Sequence, residues 1–144
     1  MDKVISKEVS FEQAEGYRYV EGGICAAKGY LANGLNCGLN PVKEKNDLAL
    51  FVSEVPARAA AVYTTNKVKG APILVCRRHL AKTANTARAV GANSKNANTC
   101  NADGEEKAER MCALAAGELQ IRPEEVLAAS TGVIGEILPI EPIE

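Results

Sequence analysis

The stretch from Gly104 to Gln120 constrains this chain most. Ala108, Met111, Cys112, Ala115 and Leu119 fall at i, i+3, i+4, i+7 and i+11, a single apolar stripe along an α-helix. Asp103 in front of it and Glu106 inside its first turn predict a capping box, with Asp in the Ser/Thr position. A helix with one apolar face must lay that face on another element. Pro123-Glu124-Glu125 opens a short turn, and Val126-Leu127-Ala128-Ala129 follows it as a buried strand. Upstream, Leu48 to Val52 and Ala87 to Ala92 read as strands. After a break at Pro56, Ala59 to Thr64 is a further extended candidate, with Val62 and Thr64 on one face and Ala61 and Tyr63 on the other. Pro72 suits the first residue of a helix, where its missing N–H costs nothing. Ile73, Cys76 and Leu80 then share one side, with Arg77, Arg78 and Lys82 near the C-terminal end, where cations favour the dipole. A strand through the same apolar run is the competing reading. Strands interleaved with one or two long helices predict an α/β or α+β layered domain.

A chain of 144 residues supports one such domain and is too short for two comfortable ones. The apolar share is 47%, much of it alanine, and aromatics make up 4% with no tryptophan, so the core is expected to be small and aliphatic side chains in close-packed layers. Lys plus Arg (17) nearly balances Asp plus Glu (18), which argues against nucleic-acid and anionic-membrane surfaces. The N-terminus lacks a secretory apolar stretch, and apolar runs stay far below the roughly 20 residues of a membrane span, so a soluble, cytoplasmic protein is expected. Five scattered cysteines, an odd number, predict reduced thiols, buried and inert. Without Cys-x-x-Cys, and with His79 as the single histidine, no metal is expected. A Cys–His nucleophilic pair at His79 has no support from spacing.

Chemistry has three candidate locations. The loop Asn93-Ser94-Lys95-Asn96-Ala97-Asn98 can present amides to a polar ligand, although a plain connection between a strand and the Gly104 helix is the better reading. The glycine-rich stretch from Gly22 to Gly38 reads as short extended pieces joined by tight turns, and the charged run Lys43 to Asp47 as an exposed hairpin loop. Neither Walker nor dinucleotide spacing occurs there, which excludes a nucleotide cradle. The third candidate is Ser130-Thr131-Gly132, at the end of a buried strand. A glycine there lets the backbone turn so that its N–H points into a cleft, and the Thr131 hydroxyl supplies a second donor. Two converging donors are what an oxyanion hole requires. Taken alone the tripeptide is more often a simple strand-terminating turn. No Gly-x-Ser-x-Gly elbow or other nucleophile accompanies it. The carboxylates of Glu105-Glu106 and Glu124-Glu125 read as solvated first-turn residues, and His79 lacks an acid or nucleophile at a telling spacing.

Five segments, in order, carry a family resemblance. Gly22-Gly23-Ile24-Cys25-Ala26-Ala27-Lys28-Gly29-Tyr30 resembles the opening Gly-Gly-Val-Thr-Ala-Pro-Lys-Gly-Phe of the ornithine acetyltransferases, also called glutamate N-acetyltransferases. Asp47 to Glu54 is similar to that family's next strand, and Tyr63-Thr64-Thr65-Asn66-Lys67-Val68-Lys69-Gly70-Ala71-Pro72 to its Phe-Thr-Thr-Asn-Arg-Val-Lys-Ala-Ala-Pro. Asn93 to Asn98 resembles Asn-Ser-Gly-Asn-Ala-Asn, and Glu124 to Gly135 a stretch ending Ser-Thr-Gly-Val-Ile-Gly.

The resemblance implies an α-β-β-α sandwich of the N-terminal-nucleophile aminopeptidase type. It also implies a precursor that cleaves itself before a threonine, which then heads a β chain as the nucleophile. Acetyl would pass from N-acetylornithine to glutamate without a bound cofactor, with acetyl-CoA a possible alternative donor, in an α2β2 assembly. Thr131 and Gly132 match the family's oxyanion hole. Residues 1–144 would be the N-terminal, α-chain portion of a longer precursor, a single domain with a variable segment at 1–21. The chain ends before the family's substrate-binding threonine and lysine and its nucleophile; a fragment, a processed α chain and a shortened relative are the open alternatives. Apolar surface left uncovered would favour association with a partner chain or oligomer. Lys95 stands where the family carries glycine, a substitution that costs roughly a kilocalorie per mole if the position needs positive φ. Cys25 and Ala27 are milder departures. The competing functions are a related amidohydrolase or aminopeptidase subunit and a non-catalytic paralogue acting as a binding protein.

Overall fold

The computed structural model describes residues 16–144, so most of the expected variable segment at 1–21 lies outside the described residues. Four strands form one sheet in the order β1 (Tyr30–Leu35), β2 (Leu48–Arg58), β3 (Thr86–Asn93) and β4 (Val126–Ser130). The first three are antiparallel neighbours, and β4 joins β3 in parallel. Helix α1 (Ala71–Lys82) falls between β2 and β3, and α2 (Gly104–Leu119) makes the crossover between the parallel pair.

Register sets the two faces. Val52, Ala89 and Val126 stand side by side, as do Leu50, Gly91 and Ala128. Leu50, Val52, Ala89, Val126 and Ala128 meet Ala71 and Val75 of α1 and Ala108, Cys112 and Ala116 of α2 in one core. Alanine recurs at the contacts, which lets both helices approach the sheet closely, as the composition implied. The sheet's other face carries Ala49, Phe51, Val90, Ala92 and Leu127, and no helix among the described residues covers it. The chain thus supplies one helical layer and one sheet of the expected four-layer α/β sandwich. No helix of the described residues is long and apolar enough to cross a membrane.

Both predicted helices, and the strands predicted at 87–92 and 126–129, form close to their expected ends. Pro72 opens α1 at its first turn, and the strand alternative there is not adopted. The α2 stripe is buried at Ala108, Met111 and Cys112 and half-buried at Ala115 and Leu119.

Several expectations are corrected. β2 runs through Pro56 to Arg58, with a register irregularity between Val52 and Ala57 that accommodates the missing N–H. Residues 59–64 form no strand; having left β2 they find no ladder partner, and Val62 is fully exposed. Asp103 does not cap α2 through its side chain. Its backbone (φ −99°, ψ 9°) is turn-like rather than extended, which directs the carboxylate to Lys107 at 2.9 Å instead. Asp47 is buried rather than exposed, because it ties the hairpin by accepting the N–H groups of Cys37 (2.8 Å) and Asn40 (2.6 Å). All five thiols are free, but only Cys112 is buried, and desolvation pushes its pKa up to about 12. Cys25 lies in a one-turn 3-10 helix (Gly23–Ala26) and Cys100 in a bend, both exposed at the surface, where no core reaches them.

Candidate active site

The asparagine-rich loop after β3 builds the frame of the site. The Asn93 side-chain amide donates to the carbonyls of Ser94 and Asn96, each at 3.0 Å, and its oxygen accepts the Ser130 hydroxyl at 2.6 Å. Asn96 donates to the Glu136 carbonyl at 3.0 Å and accepts the Asn98 N–H at 2.8 Å. Asn98 in turn donates to the Gly104 carbonyl at 2.8 Å, anchoring the loop to α2. Asn93, Asn96 and Asn98 are all buried, so their amides are spent on the protein's own backbone. The loop is a clamp that holds 130–136, not a surface offering amides to a ligand.

Within the clamp, the Thr131 N–H donates to the Asn93 carbonyl at 3.1 Å and the Val133 N–H to the Lys95 carbonyl at 3.0 Å. The N–H of Gly132, between them, meets no acceptor among the described residues. Gly132 has φ +138°, and a Cβ there would overlap the carbonyl group of Lys95 and the nitrogen of Asn96. The position therefore accepts glycine alone. Lys95 has φ +75°, the strained conformation that the comparison with a family glycine raised.

Gly132 and Thr131 line a cleft of about 580 Å³. Its lining also includes Tyr63 and Thr64 from the segment before α1, Gly70 and Pro72 at the start of that helix, and Cys76 from its middle. Thr131 also borders a wider groove of about 660 Å³ over the uncovered sheet face, beside Asn33, Asp47 and Asn93. Both Thr131 and Gly132 are exposed. Cys76 donates its Sγ–H to the Ala128 carbonyl at 3.2 Å, and burial raises its pKa, as befits a thiol wall rather than a thiolate nucleophile. Sequence reasoning passed over Tyr63 and Cys76 as site residues. Only their fold positions bring them to it, since in the chain Tyr63 and Cys76 lie 68 and 55 residues before Thr131.

His79 lies elsewhere, buried between the helices and β4. Its Nδ1 is 2.7 Å from the Val126 carbonyl oxygen and its Nε2 is 2.8 Å from a carboxylate oxygen of Glu109. An acid therefore does sit beside the ring, 30 residues along the chain, and both nitrogens are engaged with structural partners rather than with a thiol. Arg78 pairs with Glu105 and, at 2.9 Å, with Glu109, so the expected solvated carboxylate of Glu105 is an interhelix partner. Glu124 likewise pairs with Lys82 at 3.3 Å and Glu125 with Arg122 at 3.3 Å. Among the described residues, no group of three or more His, Cys, Asp and Glu is placed to hold a metal ion.

Comparison with known proteins assigns the family. The chain is 46% identical over 128 residues to the arginine biosynthesis bifunctional protein ArgJ of Thermosynechococcus vestitus, covering 87% of this chain and 30% of that protein. Against the ArgJ of Staphylococcus epidermidis it is 43% identical over 122 residues, 84% of this chain and 30% of the relative. The chain thus spans about three tenths of the length of these curated relatives. The crystal structure of ArgJ from Bacillus halodurans superposes with a TM-score of 0.78 at 40% identity, covering 83% of this chain and 62% of that one. The ornithine acetyltransferase of Mycobacterium tuberculosis, solved with ornithine, gives 0.73 at 34%, over 83% of this chain and 64% of that one. Both identities lie well above the level at which only a fold is shared, and the model of the ArgJ family matches residues 31–144, so the chain belongs to the ArgJ family.

Proposed function

We propose that this chain is the α-chain part of an acetyltransferase that moves acetyl from N-acetylornithine to glutamate in arginine biosynthesis. Thr131 and Gly132 form its oxyanion hole. The nucleophile is the N-terminal threonine of a β chain released by self-cleavage of a precursor, and the working assembly is α2β2. The observation that carries the reading is the Gly132 N–H, left without an acceptor between two bonded neighbours, in a residue that lines a cleft together with Thr131.

The chemistry follows from those two donors. The threonine hydroxyl attacks the acetyl carbonyl while the β chain's α-amino group takes its proton. Negative charge develops on the former carbonyl oxygen, where the Gly132 N–H and the Thr131 O–H meet it. Collapse breaks the C–N bond, the leaving ornithine amine takes the proton, and an acetyl-threonine ester remains. The glutamate amine then attacks that ester through a second tetrahedral intermediate in the same hole, giving N-acetylglutamate and free threonine. No cofactor is required; acetyl-CoA can enter as an alternative donor of the same acetyl group.

The experiment is reconstitution. The isolated chain is expected to transfer no acetyl from N-acetylornithine, and co-expression with a β chain bearing an N-terminal threonine is expected to restore transfer. Transfer by the isolated chain would overturn the division of labour proposed here. Peptide or simple amide hydrolysis exceeding acetyl transfer in the assembled protein would favour an amidohydrolase instead.

A further inference from the structure

Charge is unevenly divided along the chain. Residues 55–102 hold eight of the 17 Lys and Arg and none of the 18 Asp and Glu. Cations in such a run have no carboxylate of their own to pair with. Arg78 reaches Glu105 and Glu109 on α2, Lys82 reaches Glu124, and Arg58 and Arg88 donate to backbone carbonyls. The other four, Lys67, Lys69, Arg77 and Lys95, pair with no carboxylate among the described residues. All four flank the cleft. Lys67 and Lys69 fall between Thr64 and Gly70, which both line it. The Arg77 guanidinium lies 5.8 Å from the ring centroid of Tyr63, another lining residue. Lys95 carries the carbonyl against which Gly132 packs. Lys67, Arg77 and Lys95 are exposed. The lining itself contains no charged residue, so the potential inside the cleft is set by these neighbours. Glu136, two residues past the lining Ile134, is the nearest acid along the chain, one negative charge against four positive.

The molecules that meet at the acetyl-threonine differ in charge. N-acetylornithine is neutral overall, because its side-chain ammonium offsets its carboxylate. Glutamate, with two carboxylates and one ammonium, is a net anion, and the released ornithine, with two ammonium groups and one carboxylate, is a net cation. A positive approach therefore favours the acceptor over the departing amine at the stage where both compete for the acyl-enzyme. We propose that Lys67, Lys69, Arg77 and Lys95 act together as an electrostatic selector, drawing anionic glutamate to the cleft and repelling cationic ornithine. The four act through their field rather than by touching the reacting atoms, so the effect falls on encounter and affinity and is screened by salt. This role rests on the acetyltransferase reading above.

The test uses the protein assembled with the proposed β chain, N-acetylornithine as donor and glutamate as acceptor. In a transfer through an acyl-enzyme, kcat/KM for each substrate reports its own half-reaction. The double variant Lys67→Gln/Lys95→Gln removes two of the four charges, and Lys67→Arg/Lys95→Arg keeps them. Lys69 and Arg77 stay, because one donates to the Asn66 carbonyl and the other contacts the Tyr63 ring. At about 20 mM salt the Gln variant should lose about fourfold in kcat/KM for glutamate and stay within about twofold for N-acetylornithine. The Arg variant should match the wild type for both, and at about 0.5 M salt the Gln variant and the wild type should converge. An equal fall for both substrates, a deficit that survives high salt, or no deficit for glutamate overturns the selector. So does a Gln variant that fails to assemble where the Arg variant succeeds, because that marks the lysines as partners of β-chain acids. In each of those cases wild-type transfer leaves the acetyltransferase reading standing. If the assembled wild type transfers no acetyl, that reading fails and the selector falls with it.

Discussion

The Cα of Gly132 lies against the peptide group joining Lys95 to Asn96, so closely that no side chain fits between them. The same Lys95 carbonyl receives the Val133 N–H at 3.0 Å. Lys95 reaches that position with φ +75°, a conformation that L-residues with a side chain adopt at a cost. The left-handed turn at 95 and the glycine at 132 are thus two halves of one device. It pins the chain on either side of residue 132, which lines the cleft, and leaves that residue's N–H without an acceptor among the described residues.

Gly132→Ala is the most direct disturbance of this packing. The added methyl must displace backbone rather than a flexible side-chain end. The variant is expected to lose about 2–4 kcal/mol of stability, read as a drop in the denaturant midpoint at unchanged m. Gly91→Ala is the control, since a Cβ at Gly91 meets nothing within 4 Å, and it should change stability by less than about 1 kcal/mol.

Lys95→Gly should act in the opposite sense. Glycine occupies φ +75° without the steric cost of a β-carbon, partly offset by the larger freedom it gives the unfolded chain. A gain of up to about 1 kcal/mol is expected in equilibrium unfolding. A loss of stability would mean that the lysine side chain contributes more than its backbone costs.

Acid should weaken the fold through two carboxylates. Burial alone would raise Asp47, but hydrogen bonds from the Cys37 and Asn40 N–H groups outweigh it and leave its pKa below the ordinary value. Burial also opposes ionisation of Glu109, and there the bonds from Arg78 and His79 win, again lowering the pKa. With folded pKa values depressed, protons bind the unfolded chain more tightly. The stabilisation is therefore complete above the ordinary carboxyl pKa of about 4 and is lost as pH falls through that value toward the folded ones. Stability should be level in this respect from neutral pH to about 5 and decline below about 4. Asp47→Asn, which keeps the shape and loses the charge, should cost about 1–2 kcal/mol at neutral pH and flatten the acid decline.

How far the sequence carried these conclusions follows from the range of each interaction. Helix α2 was legible because its stripe, from Ala108 to Leu119, repeats within one element. Val126 to Ala129 and Ala87 to Ala92 were legible as strands because they are short, apolar and bounded by turn residues. The Asp103 cap failed because a cap depends on the backbone angles of the capping residue, which its identity does not set. Residues 59–64 have strand-like alternation but no neighbouring edge, and alternation cannot report a missing partner. The pair Thr131 and Gly132 was visible as a strand ending in glycine. Tyr63 was not, because its alternation placed it merely opposite Val62, and only the fold brings its ring to the cleft. Asp47 was misplaced for a related reason: it closes a charged run, and the amides that draw it inward belong to Cys37 and Asn40.

The central claim is that the Thr131 hydroxyl and the Gly132 N–H stabilise charge in the transition state of acetyl transfer. Steady-state kinetics of Thr131→Val in the protein assembled with the proposed β chain tests it most directly. Valine removes the hydroxyl at nearly constant volume, so kcat should fall by about 10²–10³ with KM for N-acetylornithine little changed. A variant that transfers acetyl at the wild-type kcat would contradict the account.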